Sequence, residues 1–133
     1  AVFHMRFSKA RWYAPLLVHP ESTAFYVHKL FPHATFKIKR DEVGGKLVRH
    51  FEMYVGEHLI LRGRSEVDMK RTHPELVSLL VTTDTPLGLL IKGFHVRRTR
   101  VRATSRSREY HFTGDLHAVL RERFFLLPEN LKK

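Results

Sequence analysis

The sequence predicts an α+β domain in which short helices pack on a mainly antiparallel β-sheet. Residues 35–39 (TFKIK) alternate apolar and polar side chains, as a half-buried strand does. The breaks at Gly44-Gly45 and Gly56-Glu57 are short enough to be hairpin turns, which join antiparallel strands. Helix-type segments lie before and after this group of strands rather than alternating with single strands, which is typical of α+β domains.

The length and composition are those of one domain. The chain has 133 residues, 43% of them hydrophobic, enough for a sizeable core. We divide it into a basic N-terminal arm, residues 1–15, and a single domain, residues 16–133. No apolar run reaches the ~18 residues of a membrane-spanning helix, so we predict no transmembrane segment. There is no cysteine, which excludes disulfides and thiolate chemistry.

The first residues are Ala-Val-Phe, as expected if an N-terminal leader has been removed. We therefore expect an organellar protein of the mitochondrial matrix, or else a cytoplasmic one.

The N-terminal part is expected to supply one helix. Residues 1–13 are basic and aromatic and are interpreted as an extended arm, followed by a short apolar turn that ends at 16–18. Pro20 and Glu21 are predicted to begin the helix, because proline is tolerated in a first turn. The side chains expected on its inner face are Phe25, Leu30 and Tyr26.

The remaining elements follow from the same patterns. Residues 47–54 and 58–67 predict the second and third strands of an antiparallel meander. Residues 74–82 (PELVSLLVT) predict a short helix with Thr72 as its cap, and residues 84–88 (DTPLG) predict a tight turn. The later strand-like segments are 89–94, 96–103 and the two halves of 109–127, which a hairpin turn at 113–115 separates and Pro128 ends.

Positive charge is the strongest feature of the composition. The 24 Lys and Arg outnumber the 13 Asp and Glu, for a formal net charge of +11, which favours nucleic acid, anionic lipid or a small acidic ligand as partner. Alternation over 98–102 predicts one arginine-rich strand face. The candidate polyanion-binding residues are Arg97, Arg98, Arg100, Arg102, Arg106 and Arg108. The alternative is a solvated face. Base-specific readout has no support, because no RNA-recognition motif accompanies the cluster.

The ten histidines show no HExxH motif or other metal-ligand spacing, so we predict neither a metal site nor a cofactor. His111 and His117 are expected to meet across the last hairpin as an ordinary pair. No nucleophile motif such as GxSxG is present. An enzyme built on this chain would use carboxylate or basic side chains.

Two charged residues interrupt apolar alternation. Glu122 shares a strand face with Leu120; if that face is the inner one, Glu122 is a candidate general acid or base. Arg49 shares a face with Phe51, and an inward guanidinium matches a bound carboxylate. The opposite register would place Glu122 in a surface ion pair and the head of Arg49 in water.

Four segments resemble the chorismate lyase family in their order. They are LLVHPESTAFYVHKL, LVRHFEMYVGEHLILRGRSEV, TPLG and RSREYHFTGDLHAVLRERF, which together extend from about Leu16 to Pro128. That family shares its fold with the ligand-binding domain of some bacterial transcription regulators. The resemblance implies a chorismate lyase-like domain that eliminates pyruvate from chorismate, a small dianion, and leaves 4-hydroxybenzoate for quinone synthesis.

The same resemblance implies roles for five residues. Arg49 would hold the substrate carboxylate and Glu122 would assist elimination. Leu87 and Gly88 would contact the ligand from the TPLG turn. Ser22 occupies a ligand-contacting position of the first helix at which the family pattern has an apolar residue.

Two other functions stay open. The arginines at 97–108 exceed what one dianion requires, which favours a non-catalytic basic subunit that binds RNA or neighbouring protein subunits in a large organellar assembly such as a ribosome. A ligand-sensing domain of the regulator type would need a partner chain, because the sequence has no helix-turn-helix segment.

Overall fold

The computed structural model describes residues 11–18 and 22–127. In this part of the chain, six antiparallel strands form one sheet and short helices pack on one face of it, so the predicted α+β class is confirmed. The strands are β1 (Thr35–Val43), β2 (Lys46–Val55), β3 (His58–Asp68), β4 (Val96–Ala103), β5 (Ser107–Gly114) and β6 (Ala118–Phe124). The helices are α1 (Ala14–Val18), α2 (Thr23–Leu30), α3 (Pro74–Thr82) and α4 (Leu87–Leu90), with 3-10 turns at Met69–Arg71 and Ile91–Gly93.

The order of the strands is β1-β2-β3-β6-β5-β4. Two meanders, β1–β3 and β4–β6, meet where β3 pairs with β6, and α3 and α4 lie in the connection between them. This topology brings β2 of the first meander and β6 of the second to either side of β3. Arg49 and Glu122 therefore approach each other although 73 positions separate their numbers.

Glycine makes the first two hairpins possible. Gly44 and Gly45 have φ of +57° and +81°, and Gly56 has φ of +60°. Side chains beyond glycine rarely adopt this left-handed region. The predicted breaks are therefore hairpin turns.

The predicted N-terminal arm does not extend to residue 15. Trp12 and Tyr13 are buried, at 3% and 1% exposure, and the predicted apolar turn is α1. Trp12 donates an indole hydrogen bond to the Phe125 carbonyl at 3.0 Å and meets Phe124 edge to face. Burial of two large aromatic side chains stabilises the folded state more than an extended, solvated arm could. Residues 1–10 of the expected arm lie outside the described residues.

Helix α2 buries a different face from the one predicted. Its inward residues are Thr23, Ala24 and Val27, whereas Phe25 and Leu30 are 48% and 36% exposed. Of the three side chains expected on the inner face, only Tyr26 packs against the core, and its ring is partly buried. The predicted start at Pro20 and Glu21 lies outside the described residues, as does Pro128.

Residues 89–93 of the predicted strand 89–94 are helical rather than extended. They complete α4 and the 3-10 turn that follows it. A short apolar run does not distinguish a buried strand from a buried helix by its periodicity. The cap of α3 also differs, because His73 Nδ1 accepts the Glu75 amide at 3.1 Å, while Thr72 donates to the Asp68 carbonyl at 2.8 Å.

The core consists of two hydrophobic clusters on the helical, or inner, face of the sheet. The first joins α1 and α2 to residues such as Met53, Leu61 and Phe124. The second joins α3 and α4 to residues such as Tyr110 and Leu120. Phe51 packs against both. Among the helices of residues 11–18 and 22–127, none has the length and apolarity needed to span a membrane.

Candidate functional site

A cavity of about 40 Å³ lies between the two clusters. Its wall is mainly apolar, but four charged side chains reach it: Arg49, Arg98, Arg108 and Glu122. Of the two registers that the sequence left open for Arg49 and Glu122, the structure has the inward one, at 2% and 3% exposure. A space of this volume accommodates two or three water molecules at about 15 Å³ each.

Arg49 is a buried cation whose hydrogen bonding is incomplete. Its Nη2 donates to the carbonyls of Thr83 and Thr85 at 3.1 and 2.9 Å. Its buried Nε has no hydrogen-bond partner. Burial, with the positive charge of Arg40 as a smaller cause, lowers the pKa of Arg49 to about 10. An unused buried N–H donor costs free energy, which a ligand oxygen could recover.

Glu122 forms a buried ion pair with Arg108. Arg108 Nε lies 2.6 Å from Glu122 Oε1, and the two side chains are 1% and 2% exposed. Arg108 also donates to the Leu16 carbonyl at 2.7 Å, to the Tyr110 hydroxyl at 3.1 Å and to the Thr23 hydroxyl. The pair thus ties α1 and α2 to the sheet as well as presenting charge to the cavity.

Arg98 closes another part of the wall. Its guanidinium carbon lies 5.1 Å from the centroid of Tyr110 and 5.5 Å from that of Phe112. Burial, followed by repulsion from Arg108, lowers the pKa of Arg98. Stacking on aromatic faces partly offsets the cost of holding this cation out of water.

The TPLG segment, residues 85–88, forms one end of the cavity. Pro86, Leu87 and Gly88 line the cavity, and Leu87 is buried. Ser22 caps α2 behind this wall, with its hydroxyl 3.4 Å from the Phe25 amide. A Cβ on Gly88 would overlap Ser22 Oγ and lie 3.1 Å from Ser22 Cβ. Ser22 therefore positions the wall rather than lining the cavity.

Gly88→Ala is expected to lower the free energy of unfolding by about 1 kcal/mol, because crowding of Ser22 exceeds the gain in helix propensity. In a Ser22→Gly background the crowding is gone, and the same substitution is expected to stabilise the protein by a few tenths of a kcal/mol up to about 1 kcal/mol. Urea unfolding of the four proteins measures both effects. An equal effect of Gly88→Ala in both backgrounds would contradict the assigned contact.

The six candidate polyanion-binding arginines do not form one surface. Arg108 is buried and Arg98 is half-buried, so neither is an exposed phosphate ligand. A bulge in β4 between Arg100 and Arg102 turns these two side chains to opposite faces, because an extra residue inverts the alternation. The members of the set that remain exposed are Arg97, Arg100, Arg102 and Arg106.

Sequence reasoning missed Arg98 and Arg108 as cavity residues. The signal for Arg108 was present, because 108, 110 and 112 alternate with polar positions and two of the three are Tyr110 and Phe112. It also missed Gly63, where a Cβ would overlap the ring of Phe51. The absence of a side chain at Gly63 lets that ring lie flat on the sheet beside the cavity.

The histidines of the last hairpin have separate partners. The His111 ring contacts Glu109 at 3.1 Å, and the His117 amide donates to the Thr72 hydroxyl at 3.1 Å. Across residues 11–18 and 22–127, no group of three or more His, Asp or Glu side chains is arranged to hold a metal ion.

Comparison of the chain with protein-family models finds no match, and comparison with curated proteins finds none either.

Proposed function

We propose that this chain binds a small ring-bearing dicarboxylate in its cavity and eliminates pyruvate from it, as the resemblance to chorismate lyases implies. The observation that carries the proposal is the buried Nε of Arg49, a charged donor that has no hydrogen-bond partner and belongs to a residue lining the cavity. Folding does not favour such a group, so its presence is better explained by a ligand oxygen that completes it.

The charge of the lining agrees with a dianion. Three arginines and one glutamate reach the cavity, which gives a formal charge of +2. Apolar side chains, among them Phe51, Met53 and Leu120, provide surfaces for a ring. A mostly apolar wall with a few convergent charged groups is the usual composition of a small-molecule site.

The charged residues of the cavity would have separate roles in the reaction. The Arg49 fork would hold the ring carboxylate, and Arg98 with Arg108 would neutralise the carboxylate of the enolpyruvyl group. Elimination breaks the ether C–O bond and removes one ring proton, and the departing enolpyruvate gains a proton to become pyruvate. Glu122 is the carboxylate placed to relay that proton. Aromatisation drives the reaction, so orientation is the main task of the protein.

A ring acid is larger than the 40 Å³ present without ligand, so binding requires the wall to yield. The segment 83–86 belongs to no helix or strand and connects α3 to the single turn α4, so it is the part of the wall expected to move. Binding at such a site stabilises the folded state by an amount that grows with the logarithm of the ligand concentration once this exceeds Kd.

The test is incubation of the folded protein with chorismate, with pyruvate measured by a coupled lactate dehydrogenase assay and 4-hydroxybenzoate by chromatography. Equal amounts of both products are expected, and Glu122→Gln is expected to reduce their formation by about 100-fold or more. If well-folded protein yields neither product, the lyase is rejected. If 4-hydroxybenzoate binds without turnover, the chain is a ligand-sensing domain of the regulator type.

A second candidate is a non-catalytic basic subunit of an organellar assembly such as a mitochondrial ribosome. The observation that favours it is the Arg108–Glu122 pair, in which the proposed acid is already engaged by an arginine that also donates to Leu16, Tyr110 and Thr23. In that case the four charged side chains of the cavity would only stabilise the packing of the helices on the sheet. The chain would then neither bind 4-hydroxybenzoate nor release pyruvate.

A further inference from the structure

The face of the sheet opposite the helices, called here the outer face, carries a line of cations that crosses all six strands. Cross-strand pairing aligns one residue from each strand, and the members of this first row are Lys39, His50, Arg64, Arg121, Glu109 and Arg102. Five of the six are basic. All five are exposed. Since neighbouring strands are about 4.8 Å apart, the row is about 24 Å long.

A second row lies beside the first, two residues along each strand and therefore about 7 Å away. Its members are Lys37, Glu52, Arg62, Arg123 and Ser107. The two rows together contain seven Lys or Arg and two Glu, a formal surplus of +5 with histidine neutral. Shallow depressions of about 420 and 410 Å³ lie along them.

Glutamates hold several of these guanidinium groups in place without neutralising the face. Arg62 lies 3.2 Å from Glu52, and Arg121 lies 3.2 Å from Glu109 and 3.4 Å from Glu66. The side chains of Arg62 and Arg121 are nevertheless 60% and 54% exposed. Surface ion pairs contribute little to stability, so this arrangement is better explained by orientation of cations toward a partner.

We propose that the outer face binds duplex nucleic acid through its phosphates, without reading the bases. The charge is arranged as a line, which matches a regular polyanion better than an isolated anion. Neither row contains Phe, Tyr or Trp, and the two rings beside the second row are covered by its cations, Tyr54 by Lys37 and Phe125 by Arg62 and Arg123, so they are poor platforms for stacking single-stranded bases. The large exposed hydrophobic residues of the described part of the chain lie outside both rows, so the rows offer no apolar anchor for a lipid surface. This site is separate from the cavity, and it differs from the arginine cluster of β4, of which it includes only Arg102.

The test is fluorescence anisotropy of a labelled 20-base-pair RNA duplex of arbitrary sequence, titrated with the full chain at several salt concentrations. Contacts to about five phosphates predict that log K falls with log salt with a slope of about −4 to −5. Lys39→Gln/Arg123→Gln removes two exposed cations from the rows and is expected to weaken binding about tenfold and to reduce the slope by about 2.

Lys70→Gln/Arg71→Gln is the matched control, because it removes the same charge from an exposed 3-10 turn outside both rows. It is expected to change affinity about twofold or less. Equal losses from the two pairs, no binding of the duplex at low salt, or binding of phosphatidylserine vesicles but not of the duplex would each overturn the proposal. The pyruvate assay is independent of all these outcomes, so failure of one proposal leaves the other unaffected.

Discussion

Glu122→Leu is expected to lower the free energy of unfolding by about 3–5 kcal/mol. The substitution leaves the guanidinium of Arg108, whose side chain is 1% exposed, without its carboxylate. Removing one partner of a buried ion pair costs this much because the other charge stays buried and uncompensated. Urea unfolding monitored by the fluorescence of Trp12 measures the change.

Glu66→Leu is the matched control. Glu66 also contacts two arginines, at 2.5 Å from Arg64 and 3.4 Å from Arg121, but all three side chains are partly exposed. Ion pairs in such surroundings contribute at most about 1 kcal/mol. Similar losses from Glu66→Leu and Glu122→Leu would mean that burial does not decide the strength of the Arg108 pair.

Arg49→Met is expected to have opposite effects on ligand binding and on stability. Binding of 4-hydroxybenzoate, measured by calorimetry, is expected to weaken about 100-fold or more, because the charged fork that meets the carboxylate is lost. The free energy of unfolding is expected to rise by about 1–2 kcal/mol. A residue with a purely structural role would destabilise the protein when replaced.

The sign of the stability change follows from the pKa. Burial lowers the pKa of Arg49 from its ordinary value to about 10, so the folded state disfavours the cation throughout the range below pH 10. A shift of this size corresponds to at most about 3 kcal/mol, and loss of the bonds to Thr83 and Thr85 offsets part of it. The contribution of Arg49 to instability should diminish only as the pH rises from about 10 toward 12.5.

Arg40→Met provides the comparison. Arg40 lies opposite Arg49 on β1, but its side chain is 30% exposed and pairs with Asp84. Its replacement should leave 4-hydroxybenzoate binding within a few-fold of wild type. Equal loss of binding in the two variants would indicate that net charge, rather than the Arg49 fork, holds the ligand.

The elements that the sequence predicted correctly are those with strong local signals. Alternation and glycine turns located β1, β2 and β3, and Pro74 located α3. The predicted strand at 89–94 was wrong, because a short apolar segment is compatible with either a strand or a helix. The predicted inner face of α2 was also wrong, because packing against the sheet decides which face of a short helix is buried. The aromatic pair Trp12 and Tyr13 was assigned to an arm because its partners, Phe124 and Phe125, lie more than 110 positions away.

For the candidate site, alternation in the sequence showed that Arg49 and Glu122 share a strand face with apolar side chains, but it left open which face of each strand is the inner one. Their partners could not be predicted. Arg108 became an internal ligand of Glu122, and Arg98 a cavity residue, only through the order β3-β6-β5-β4. Local alternation determines which face of a strand a side chain takes, whereas the pairing of distant strands determines which charges share that face. For this reason the sequence alone determined the α+β class and the positive charge, and the tertiary structure decided the composition of the cavity and the two rows of cations.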